Sequence, residues 1–206
     1  MKREEKNALS RQRILDAAME EFSRRGYEGA SLNTVCAEHG ISKGIIYHYF
    51  KDKDELYLLC VGQCFGAVTA YLREAASGLA GPAKERLQGY FDARLRFFAE
   101  EPRYLGIFTD AALSPPPGLA RQVAECRREF DDLNISVLTE MLESEPLREG
   151  YSVRMVVEDF RIYMDYFNMR FRAEENPGCS GEELLKEHEE RCHRQLDILL
   201  YGVIDE

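Results

Sequence analysis

Apolar residues recur at spacings of three and four along nearly the whole chain, and clusters of β-branched residues are short. The pattern predicts helices almost throughout. Ile14, Leu15, Ala18 and Phe22 fall on one face of a first helix, with Ser10 as its cap and Gly26, after Arg24 and Arg25, as its stop. Ser31 caps a second helix, roughly Leu32 to His39, which Gly40 breaks before a third begins near Lys43. Asp52 followed by Glu55 has capping-box spacing, with Asp in place of Ser or Thr, and opens a long helix to about Ser77. Further helices are expected at about 83–100, 103–113, 118–144, 152–174 and 181–202. Between them lie Gly78 to Pro82, Glu101 with Pro102, and the proline run between Ser114 and Gly118. A loop carrying Asn176, Pro177 and Gly178 is expected from Glu174 to Gly181.

Two short helices joined by a Gly-containing turn set the second across the first, where it can enter a major groove about 12 Å wide. In residues 31–50, Val35 and Cys36 face inward from the first of the pair and Ile41 fills the turn, while Ile46 and Phe50 anchor the second. Its other faces carry Lys43, Gly44, Ile45, Tyr47 and His48. Ile45 and the Tyr47 ring suit thymine methyls; Lys43 or His48 can donate to guanine or phosphate. Ser31, Tyr49 and Lys53 add hydroxyl and ammonium donors for phosphate, and Ser42 joins the DNA-binding set. A plain three-helix core with surface aromatics would share this spacing.

The run from Arg13 to Cys60 resembles the N-terminal domain of TetR-type transcriptional regulators. The likeness rests on Ile14, Leu15, Ala17, Ala18, Phe22, Gly26, Tyr27, Gly40, Ile41, Ser42, Lys43, Gly44, Tyr47, Phe50, Lys53 and Leu56. Tyr49 stands where His is frequent in the family, and Cys36 where a small apolar residue is usual. The resemblance implies an all-α protein with an N-terminal three-helix helix-turn-helix DNA-binding domain, residues 1–53. A larger helical effector-binding and dimerisation domain, 54–206, would follow. The implied function is a one-component regulator, a repressor released from a palindromic operator by a small, largely hydrophobic effector. The implied partners are double-stranded operator DNA, that effector, and a second copy joined through the last two helices.

Charge fits this division. The net charge of −10 argues against nucleic acid for the chain as a whole. Residues 1–53, however, hold 10 Lys and Arg against 8 Asp and Glu, and the remainder holds 17 against 29. A basic reader sits on an acidic body. The N-terminus lacks the apolar block of a signal peptide and no long uninterrupted apolar stretch occurs, so a cytoplasmic protein with no membrane partner is expected. The six cysteines include no CxxC pair and are expected as reduced thiols.

In the body, Val156, Phe160, Tyr163 and Phe167 form one stripe of the helix at 152–174, and Val153, Val157, Met164 and Phe171 another. One core does not need both, so one side is expected to meet a partner. Leu185, His188, Cys192, Leu196, Leu199 and Val203 form a similar surface on the last helix. Cys64, Phe65, Phe97, Phe108, Tyr163 and Phe167 are the expected effector-binding residues, an aromatic wall for a hydrophobic or planar molecule. Each of them also suits plain core packing.

Two other readings compete. Cys60 with Cys64, and His188, Cys192 and His193 near Glu189, would suit a thiol- or metal-responsive regulator of the same fold, although neither group is a complete ligand set. An enzyme is disfavoured: no phosphate loop, GxSxG or HExxH occurs, and the carboxylates lie on charged helix faces. No catalytic residue, metal ligand or cofactor is therefore assigned.

Overall fold

The computed structural model describes residues 3–113, 115–173 and 181–203, and among these no strand occurs. The elements are α1 (Arg3–Gly29), α2 (Leu32–His39), α3 (Lys43–Tyr49), α4 (Lys53–Ser77), α5 (Ala83–Glu100) and α6 (Pro102–Leu113). A 3₁₀ turn at Pro117–Leu119 follows, then α7 (Ala120–Glu143), α8 (Val153–Ala173) and α9 (Gly181–Val203). The loop expected around Asn176 to Gly178 lies outside the described residues. The chain divides into two compact units, Met1–Gly66 with Glu101–Arg127, and Ala67–Glu100 with Arg128–Glu206.

The first unit has its core in Ile14, Ala18, Phe22, Val35, Ile46, Phe50, Leu56 and Tyr57, all buried. Burial of a large apolar side chain stabilises by roughly 1.5–3 kcal/mol, so this set fixes the angle between the short helices. Ser10 is not a cap, because α1 begins well before it. Its early turns are held against the rest of the unit. The Tyr49 hydroxyl donates to Asn7 Oδ1 at 3.2 Å, the Arg11 guanidinium lies 5.1 Å from the Phe50 ring centroid, and Arg13 donates to the His39 carbonyl at 2.7 Å. Gly26 does break the regular helix, as its residue type suggests. At φ +63° it kinks the helix, which resumes for one more turn to Gly29.

α6 packs along α1 in this unit. The closest approach is at Gly106, where a Cβ would lie 1.9 Å from the Ser23 carbonyl oxygen, so a side chain there is sterically excluded. The apolar face of α4 accounts for its composition. Leu56, Tyr57, Cys60, Val61, Cys64, Phe65, Val68 and Leu72 are buried inside the protein, although by length and composition the helix could cross a membrane.

In the second unit α5 and α9 are tied by a buried ion pair, Arg94 with Glu189. α9 packs on α8, where Val156, Phe160, Phe167 and Phe171 are buried together with Leu185, Cys192 and Leu196 of α9. Both stripes read from the sequence of α8 thus contribute to the core of the unit. The face left open is a third one, carrying Met155, Ile162, Tyr166 and Met169, each about half exposed or more.

Candidate nucleic-acid interface

α2 starts where local chemistry says it should. The Ser31 hydroxyl accepts from the Asn33 N–H at 3.2 Å, and the Ser31 N–H donates to buried Glu21 at 2.9 Å, which fixes the approach from α1. Gly40 ends the helix in the left-handed region, its N–H on the Cys36 carbonyl. Ile41 is buried in the turn, and Ser42 caps α3 by accepting from the Ile45 N–H at 3.3 Å. The Phe50 N–H closes α3 on the Ile46 carbonyl at 2.9 Å. Both serines therefore serve as helix caps.

α3 is anchored on one side only. Ile46 and Phe50 are 1% exposed, whereas Ile45 is 46% and Tyr47 49% exposed. Lys43, Gly44 and His48 are exposed as well. Nothing lies within 4 Å of a Cβ built at Gly44, which leaves room for close approach of another backbone. The five residues expected to face bases thus share one open surface. Two large apolar groups left in water on a seven-residue helix make it a contact surface in waiting.

Around it stand the proposed phosphate contacts. Tyr49 is half-buried, packed edge-on to His48 at 4.9 Å and bonded to Asn7. Asp52 accepts from the Glu55 N–H at 2.8 Å, completing the forward half of the capping box, while Glu55 reaches back to the Lys51 N–H. Lys53 opens α4 with its ammonium 4.4 Å from the Tyr27 ring centroid. Tyr27 carries no DNA role in the sequence reading, yet it is the support of Lys53. Its hydroxyl donates to Asp54, and that bond, then burial, pushes its pKa up to about 12.

Residues 14–60 match the family model of bacterial regulatory proteins, tetR family. Residues 14–60 therefore carry the N-terminal domain of the TetR family. Members of this family are DNA-binding transcription regulators, and the chain is such a regulator rather than an enzyme. It is 26% identical over 143 residues to the fatty acid metabolism regulator protein of Bacillus subtilis, covering 69% of this chain and 73% of that protein. It is also 26% identical over 149 residues to the transcriptional repressor KstR of Mycobacterium tuberculosis, covering 72% of this chain and 66% of KstR. In fold it is similar to the FadR of Bacillus subtilis solved in complex with stearoyl-CoA. That match has a TM-score of 0.61 at 21% identity, over 88% of this chain and 96% of that one.

The six expected effector-binding residues fall into both units. Cys64, Phe65 and Phe108 belong to the first, where the two rings meet at 5.3 Å and the Cys64 thiol donates to the Tyr104 carbonyl at 3.5 Å. Phe97, Tyr163 and Phe167 belong to the second. There Phe97 packs on Tyr71 at 5.4 Å, and Tyr163 stacks on Phe167 at 5.9 Å. All but half-exposed Tyr163 are buried.

The groups considered for metal or thiol sensing pack among core neighbours, with His193 Nε2 buried without a hydrogen-bond partner among the described residues. Burial raises the pKa of the Cys60 and Cys64 thiols, away from thiolate character. His188 Nε2 lies 2.8 Å from Asn168 Oδ1, Cys192 contacts the Met164 sulfur, and His193 packs edge-on against Phe91. Among the described residues no group of three or more His, Cys, Asp or Glu side chains is arranged to hold a metal ion.

Proposed function

We propose that this regulator is a cytoplasmic repressor that binds a two-part operator as a homodimer and leaves it when a small, largely hydrophobic effector binds the body. The observation that carries the DNA reading is the one-sided burial of α3. Ile46 and Phe50 fix the helix, and Lys43, Gly44, Ile45, Tyr47 and His48 stay open to base edges. Ser31, Ser42, Tyr49 and Lys53 flank that face as phosphate contacts. Fragments selected from random DNA should share a pseudo-palindromic motif. Tyr47→Ala should lower affinity for that motif while leaving affinity for unrelated DNA nearly unchanged, and equal loss on both would refute base reading by α3.

The exposed stripe of Met155, Ile162, Tyr166 and Met169 on α8, with Ile198 on α9, supports pairing of two copies through the last two helices. Tyr166→Glu together with Met169→Glu should give a monomer in sedimentation experiments. A dimer of unchanged stability would refute this face.

For the effector, the aromatic groups around Phe65 and Phe108, and around Tyr163 and Phe167, suit an apolar molecule. The binding of stearoyl-CoA by the Bacillus subtilis FadR supports a long-chain acyl compound as the first class to try. Release of the operator complex by acyl-CoA esters of graded length is the test, and no release by any of them would exclude that class.

A further inference from the structure

Asp110 is the one acidic residue of α6, and it points at the kink in α1. Its Oδ2 accepts from the Tyr27 N–H at 3.1 Å and from the Tyr57 hydroxyl at 2.7 Å. Its Oδ1 lies where a Cβ on Gly26 would come within 2.9 Å. The kink takes the Tyr27 N–H out of the regular ladder, and a half-buried N–H left without an acceptor is costly. Asp110 supplies that acceptor from 83 residues away.

The two donors are also in contact with each other. The Tyr27 and Tyr57 rings meet edge-on at 5.0 Å, and Tyr57 is fully buried. Tyr27 is therefore held at its backbone by Asp110, on its ring by Tyr57 and at its hydroxyl by Asp54, and it presents its ring to the Lys53 ammonium. A cation over an aromatic face is held with a preferred position, where a free lysine would sample many.

We propose that Asp110 is a positioning residue for DNA binding: by holding the Tyr27 N–H and the Tyr57 hydroxyl it keeps the Tyr27 ring under Lys53 and so presents the Lys53 ammonium to phosphate. The inference rests on the reading of Lys53 as a phosphate contact. It adds a regulatory route, since withdrawal of Asp110 from the kink would weaken the grip on phosphate with α3 left intact. Gly106, one helical turn before Asp110, keeps α6 close enough to α1 for the clamp to form.

The test uses the full chain and its selected operator, with affinity measured across a range of salt concentrations and folding checked by thermal unfolding. Asp110→Ala is expected to lower affinity about tenfold and to reduce the slope of log affinity against log salt by about one per head, the value for one lost phosphate contact. Lys53→Ala should do the same, and the double variant should be no worse than either alone. Asp110→Asn keeps an oxygen for both donors and should restore affinity and slope. If Lys53→Ala leaves the slope unchanged, the phosphate reading fails and takes the proposal with it. If Lys53→Ala reduces the slope and Asp110→Ala does not, or the two effects add, the proposal alone fails. Should Asp110→Ala not fold, Tyr57→Phe removes one donor and keeps the ring. A smaller loss of affinity and slope is then expected, and an unchanged slope overturns the proposal.

Discussion

Arg94 and Glu189 lie 3.0 Å apart with side chains 9% and 2% exposed, a buried ion pair that joins α5 to α9. Arg94 Nη2 donates to Asn134 Oδ1 at 3.0 Å, where the Tyr90 hydroxyl also donates, while Nε is buried without a hydrogen-bond partner among the described residues. The guanidinium is enclosed by the rings of Tyr90, Phe91 and Phe130. Desolvating two charges consumes most of their mutual attraction, but removing one partner strands the other. Glu189→Ala is therefore expected to destabilise the protein by about 3–5 kcal/mol in urea unfolding. Arg94→Met with Glu189→Leu should recover most of that loss, and equal destabilisation by the single and double variants would contradict this account.

Gly106→Ala tests the seating of α6 on α1. The added methyl would meet the Ser23 carbonyl, a backbone atom that cannot swing aside, so the helices must separate. Overpacking of this kind costs about 1–3 kcal/mol, and the backbone contact places Gly106 toward the upper end. A lower urea midpoint is expected, with weaker operator binding under conditions where the variant is still folded. Unchanged stability would mean that the α1 and α6 backbones are not in contact.

The helices were legible because their signals are local. Ser31, Gly40, Ser42 and Asp52 act as the caps and breaks their residue types suggest, and the ends near Ser77, Ala83 and Glu100 fall where the pattern breaks. Ser10 failed as a cap because tertiary contacts made by Asn7, Arg11 and Arg13 extend α1 past it. Both stripes read on α8 are largely used within one unit, since periodicity shows that a helix has surplus apolar surface but not which side its neighbour covers. The support of Lys53 was hidden for a similar reason. Tyr27, Tyr57 and Asp110 are far apart in sequence and meet only through packing. The available signal was the lone carboxylate among Ile107, Phe108, Ala111 and Ala112, which needs a buried donor to be tolerated.

Thiol chemistry gives a third test. Cys60, Cys64 and Cys192 are buried, and burial holds their thiols protonated, with Cys192 pushed up to about 12 by burial and by Glu189. Cys36 is half-buried on α2. Under a maleimide reagent the native protein should label at Cys36 well before these three, which should react only as the protein unfolds. Prompt labelling of Cys60 or Cys64 in the folded protein would restore the thiol-sensing alternative.

Two carboxylates should shift stability with pH in opposite directions. For Glu189, burial opposes the charge, but Arg94 and then His188 outweigh it, and the net pKa is lowered. A lowered folded-state value means stability that is present at neutral pH and lost as pH falls through that value. For Asp110 burial dominates over the bonds from Tyr57 and Tyr27, and the net pKa is raised above the ordinary 3.8. The folded state then takes up its proton first, so this group adds stability as pH falls through the raised value and stops doing so below 3.8. Urea unfolding of the parent protein, Glu189→Gln and Asp110→Asn from pH 7 downward separates the two. The advantage of the parent over Glu189→Gln should shrink on acidification, while its standing relative to Asp110→Asn should improve. Matching trends in the two comparisons would show that one of the two carboxylates is not in the environment described for it.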